Sequence, residues 1–181
     1  MSKLEFQSRH QAGLAALYLG VFATIWFSVP AAEQPLRALL VVVSGAALIT
    51  AVLGAVVVFR SRQAGDVARD RSADRRYLLI VVAEFAVAGF GAVLLSLGGW
   101  PEFIPVLISA AVGLHLFPLV AVLRDPLLWL LGAAVCAVAL AGLVTALVSA
   151  VPAGLVVGIG TGLLLLAYAI LALFRAVRPR G

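Results

Sequence analysis

Apolar positions in this chain run together in six long stretches, and the polar positions are gathered into short bands between them. The stretches fall at about 13–30, 36–59, 77–98, 103–123, 126–150 and 153–174. An α-helix needs roughly 20 apolar residues to cross a hydrocarbon core, and these runs are of that order. Strands of a membrane barrel would alternate polar and apolar positions; these runs do not. Pro35, Pro101, Pro126 and Pro152 stand at or just before the starts of runs, where a helix can spare an N–H. Asp125-Pro126 reads as a helix cap followed by the first helical residue. The pattern predicts one all-α domain over residues 1–181, an integral membrane bundle of six transmembrane helices.

Composition removes the soluble alternatives. Of 181 residues, 64% are apolar and 12% charged, and the mean hydropathy is +1.17. A soluble domain of ordinary composition is about 45–50% apolar and about 25% charged. A soluble sphere of this length has too little interior to hide so much apolar surface. The first run contains Val29-Pro30-Ala31, which faintly resembles a signal cleavage site. Its apolar core is long and Glu5 precedes it, so it reads as a retained span.

Charge sets the expected orientation. Lys3, Arg9, the six arginines between 60 and 76, Arg124, Arg175, Arg178 and Arg180 fall on one side, 12 basic residues in all, and Arg37 alone on the other. Basic loops stay in the cytoplasm, so both termini are expected there, in a cell inner (plasma) membrane. The +5 net charge is explained by these flanks, and no nucleic-acid partner is expected. The 60–76 loop mixes arginines with Asp66, Asp70 and Asp74 and reads as topogenic and solvated, with lipid-headgroup docking as the minor alternative. The other loops are short and hold no soluble domain.

Several chemistries lack their residues. Lys3 is the single lysine and lies outside the runs, and Cys136 is the single cysteine. His10 and His115 are the two histidines, of which only the second falls within a run. Paired-histidine haem, di-iron and zinc sites need more ligands than that. No phosphate loop, serine elbow, HExxH or aspartate-rich diphosphate motif occurs. No metal and no cofactor are expected.

One deep polar layer remains. Glu84 is the only acid deep in a run, where a charge costs roughly 2.5–3.5 kcal/mol on insertion scales and marks a functional candidate. At 1.5 Å per residue, Glu84 lies about 21 Å and His115 about 18 Å from the outer ends of neighbouring runs. The connection between those runs is short, so the helices are expected to be antiparallel neighbours with the two side chains at one level. Tyr18, Thr50 and Tyr168 fall at about 18–22 Å in their own runs. Glu84 shares a helix face with Ala88 and Gly91, small residues that suit packing against another helix. Pro118 has no N–H to give the carbonyl of Leu114, leaving a backbone acceptor beside His115. The plain alternative for Glu84 and His115 is a buried pair that fixes helix register. Trp26, Trp100 and Trp129 fit interfacial belts. Glu102 opens the fourth run, where an acid suits the helix dipole, with substrate contact as its second reading. Gly154, Gly158 and Gly162 form a ridge for close helix packing, inside the chain or between copies in a homo-oligomer, and Ala47, Ala51 and Ala55 form a similar one.

The segment Gly113-Leu114-His115-Leu116-Phe117-Pro118-Leu119, followed by Asp125-Pro126, resembles small bacterial polytopic membrane proteins with a G-x-H-x-F-P-L segment. Size, topology and an isolated intramembrane acid are also similar to those of small membrane-bound terpene cyclases. That similarity implies a compact helical membrane enzyme that uses an acid to protonate an alkene or epoxide, and it transfers no catalytic residue. The leading expectation is an enzyme acting on a membrane-dissolved lipid or prenyl chain, with Glu84 and His115 catalytic and Tyr18, Thr50, Tyr168 and Glu102 lining its pocket. A proton-coupled transporter or channel using Glu84 and His115 is the alternative, and a non-catalytic assembly subunit the third.

Overall fold

The computed structural model describes residues 3–63, 71–123 and 125–177. The apolar runs become six helices among those residues: α1 (Lys3–Ser28), α2 (Leu36–Gln63), α3 (Arg71–Leu97), α4 (Ile104–Leu123), α5 (Leu127–Val148) and α6 (Ala153–Val177). The structure is 89% helical, and no strand occurs among the described residues. Among the described residues, five stretches are long and apolar enough to cross a membrane: Arg9–Ser28, Leu36–Ser61, Pro101–Val120, Leu127–Val148 and Ala153–Val177. Among the described residues, α3 adds the apolar stretch Ala86–Leu97, and Glu84 lies just before it.

Helix surfaces confirm the class. Large apolar side chains face outward on every helix, among them Ile25, Val42, Val87, Leu114, Leu147 and Phe174. A water-soluble monomer rarely exposes apolar patches on this scale. The chain is a multi-pass helical membrane protein.

Contacts divide the structure into two compact units, the first made of α1, α2 and α6 from Gly162 onward. Hydrocarbon offers no hydrophobic drive for two helices to associate, so close van der Waals packing must hold them together. Here α1 and α2 meet backbone to backbone. A Cβ built on Gly54 would lie 2.6 Å from the Leu17 nitrogen and 2.8 Å from the Gly13 carbonyl oxygen. Ala16, Ala23, Ala47 and Ala51 are buried along the same contact. Gly162 makes room for Phe27, whose ring would come within 2.7 Å of a Cβ there. Trp26 is also buried. It belongs to this core and not to an interfacial belt, which leaves the exposed Trp100 and Trp129 as belt residues.

The second unit holds α3, α4, α5 and α6 up to Thr161. A Schellman turn ends α3: Trp100 N–H donates to the Leu95 carbonyl at 2.8 Å and Gly99 N–H to that of Ser96 at 3.2 Å. Gly99 has φ +79°, the left-handed conformation that this cap requires and glycine adopts freely. A single 3₁₀ turn, Pro101–Phe103, then leads into α4. At the start of α5, the Asp125 carboxylate accepts from Leu127 N–H at 3.0 Å, the cap expected from Asp125-Pro126.

Within this unit α4 and α5 cross at Gly113 and Gly132. A Cβ on Gly113 would stand 2.6 Å from Cys136 Sγ, and one on Gly132 would stand 2.9 Å from the Gly113 oxygen. A Cβ on Gly160 would lie 2.7 Å from Val138 Cγ1, and one on Gly142 would collide with Val157. The ridge glycines of α6 have their neighbours within the chain: Gly154 faces Val29 and Pro105, and Gly158 is buried.

Candidate functional site

Glu84 projects from α3 and His115 from α4, two helices in contact. His115 Nδ1 lies 2.5 Å from Glu84 Oε2, and the side chains keep 13% and 20% of their exposure respectively. Gly91 sets this contact from two turns away. A Cβ there would lie 2.6 Å from Leu107 Cδ2, so the leucine tip of α4 occupies the space that the glycine leaves open. From that crossing, Glu84 is seven residues back along α3 and His115 eight residues on along α4. Each step is about two helical turns, which brings the two side chains to one level.

A carboxyl and an imidazole in contact can share a proton. The pair can hold that proton either as the Glu84 hydroxyl or on His115 Nδ1. An acid and an imidazole in contact form a group that can give up or take a proton without moving a helix. Its surroundings are apolar. Val87 and Phe90 on α3 and Leu114 on α4, near neighbours of the pair along the two helices, are apolar and exposed. Pro118 stands inside α4 and is exposed. With no N–H on Pro118, the carbonyl of Leu114 lacks its i+4 donor.

The other expected pocket residues are divided between the two units. Glu102 is exposed in the 3₁₀ turn before α4. It stands about 20 Å along the helix from His115, too far to share a site with it. Tyr18, Thr50 and Tyr168 belong to the first unit. Tyr18 is 59% exposed and points away from the core. Thr50 is buried, and its hydroxyl donates to the Ala46 carbonyl of its own helix at 2.9 Å, so its polarity is satisfied locally. Tyr168 is buried.

Two buried polar contacts are new with the structure. Ser109 Oγ and Thr161 Oγ1 lie 2.9 Å apart, and both side chains are fully enclosed. Small residues flank them in sequence, but their partnership carries no sequence signal. The other contact joins His10 Nδ1 to Ser61 Oγ at 2.8 Å. The Ser61 hydroxyl gives its one proton to the Val58 carbonyl at 2.8 Å, so it accepts from His10. The sequence placed His10 outside the first span. In the structure α1 starts earlier, and the apolar stretch begins at Arg9. Among the described residues, no three His, Cys, Asp or Glu side chains gather as metal ligands. No known protein family, curated protein or solved structure matches the chain.

Proposed function

We propose that the protein is an integral membrane enzyme of the cell inner membrane that acts on a hydrophobic, membrane-dissolved substrate, a prenyl chain, by proton-initiated cyclisation without a metal or cofactor. The observation that carries this reading is the Glu84–His115 contact on a side of the helices surrounded by apolar, outward-facing residues. A substrate arriving there comes from the lipid, and water is scarce. In the reaction, the Glu84 carboxyl proton adds to one carbon of a terminal double bond. The next double bond supplies its π pair to the cation, which forms the ring bond. The resulting cation then loses a proton to the Glu84 carboxylate or to His115, and the product is an isomer of the substrate. A dry site suits this chemistry because water would capture the cation. His115 positions the acid.

Isotope uptake tests the reading. Prenyl substrates incubated with the purified protein in D2O are expected to give a cyclic isomer carrying one deuterium from solvent. Glu84→Gln keeps the shape and loses the acid, and the rate per folded molecule is expected to fall by about 10²–10⁴-fold, the usual contribution of general acid catalysis. His115→Phe is expected to reduce it less. A folded Glu84→Gln protein with full deuterium uptake would exclude the acid role. The direct contact of an acid with an imidazole also suits a proton relay in a transporter. That reading requires Glu84-dependent proton flux in sealed liposomes and no isomer product.

A further inference from the structure

The carbonyl left over by Pro118 gives the same site a preference in its ligand. Pro118 is within α4, so the Leu114 carbonyl has no donor from the following turn. A carbonyl facing hydrocarbon without a donor is costly. Leu114 is 61% exposed and Pro118 is exposed beside it, so this acceptor opens toward the lipid. Around the helix axis, Pro118 is about 60° from His115, on the flank next to the acid–imidazole pair. A lipid-facing acceptor and a proton-bearing pair therefore stand side by side. The helix itself carries no lysine or arginine from Ile104 to Leu123. A phosphate or diphosphate head would find no lysine or arginine on this stretch of α4 to balance its charge. A hydrocarbon would leave the carbonyl without a donor.

We propose that the site takes a prenyl alcohol, whose hydroxyl donates to the free carbonyl of Leu114 while the chain lies against Glu84 and His115. The inference rests on the reading of this pair as a lipid-facing site and adds the chemical class of its ligand. The alcohol head fixes the depth and direction of the chain, and its carbons then meet the acid at a set position. Since the hydroxyl acts as donor, an ether of the same chain loses the anchor although it keeps the oxygen.

Binding of geranylgeraniol, its methyl ether and the parent hydrocarbon to the full-length protein in detergent or nanodiscs tests this. The wild-type protein is expected to hold the alcohol roughly tenfold more tightly than the other two, the ratio that corresponds to one hydrogen bond. Pro118→Ala restores an N–H to the Leu114 carbonyl and is expected to bind all three alike, at the level of the ether. Equal binding of alcohol and ether by the wild type would overturn the proposal, and this result depends on no variant. A folded Pro118→Ala protein that keeps the alcohol preference would also overturn it. Deuterium uptake reports separately on Glu84. Loss of the alcohol preference with uptake intact removes only this inference, whereas a preserved preference in an inactive wild-type protein removes only the cyclase reading.

Discussion

At the scale of single residues, glycine positions separate close packing from open lipid. Gly54 and Gly45 both lie in α2, and sequence alone gives them the same weight. The structure sets them apart. A Cβ on Gly54 would strike the backbone of α1 at Leu17 and Gly13, whereas one on Gly45 would meet nothing within 4 Å. Backbone has no rotamer with which to yield, so Gly54→Leu is expected to lower stability in detergent by about 1–3 kcal/mol or more. Gly45→Leu is expected to be neutral or slightly stabilising, because a glycine inside a helix is about 1 kcal/mol worse than alanine. Chemical denaturation of the two variants beside the wild type checks both. Equal losses would mean that the α1–α2 contact is not the close one described. Val157 is a related case. It adjoins Gly158 in sequence and looks interchangeable with leucine, yet it is fully buried against the space left by Gly142.

At the scale of helices, polar contacts join elements that the apolar pattern leaves unassigned. The Ser109–Thr161 contact ties α4 to the first half of α6. Interhelical hydrogen bonds in membranes average about 0.6 kcal/mol, with a maximum near 1.7. Removing one partner leaves the other enclosed without it. Ser109→Ala and Thr161→Val are each expected to destabilise the protein by about 1 kcal/mol, while the double variant loses clearly less than the sum. A double-mutant cycle on unfolding in detergent measures this, and strict additivity would mean that the two hydroxyls do not depend on each other. The pairing of α3 with α4 was readable beforehand. A short connection forces antiparallel neighbours, Gly91 marks the face of approach, and counting residues from the shared end puts Glu84 and His115 at one level. For Ser109 and Thr161 no such count applies, since α5 and its two connections intervene.

At the scale of the molecule, the distribution of lysine and arginine argues for an orientation. Twelve basic residues on one side against Arg37 on the other motivate the expectation that both termini and the 60–76 loop face the cytoplasm. With Cys136 replaced by alanine, cysteines at Ser72 and Gly99 are expected to react with an impermeant maleimide from opposite sides of the membrane. Labelling of both from the same side would exclude six crossings. The third helix is the sensitive element, because Glu84 interrupts its apolar run.

The sequence by itself determined the all-α class, the approximate limits of the helices, the cap at Asp125 and the common level of Glu84 and His115. Each follows from local geometry or from the cost of polar groups in hydrocarbon, and both are written along the chain. Tertiary structure decided which way each helix turns about its own axis. It turned Tyr18 outward and Trp26 inward, enclosed Ser109 with Thr161, and gave the glycines of α6 to neighbours in the same chain. The reason is the solvent. In water, the apolar face of a helix is its inner face, and the sequence announces it. In lipid, the inner and outer faces are both apolar, so hydropathy leaves the rotation of a helix undetermined. Rotation is settled by which small residues let two backbones meet and which hydroxyls find each other, and those contacts exist only once the helices are packed.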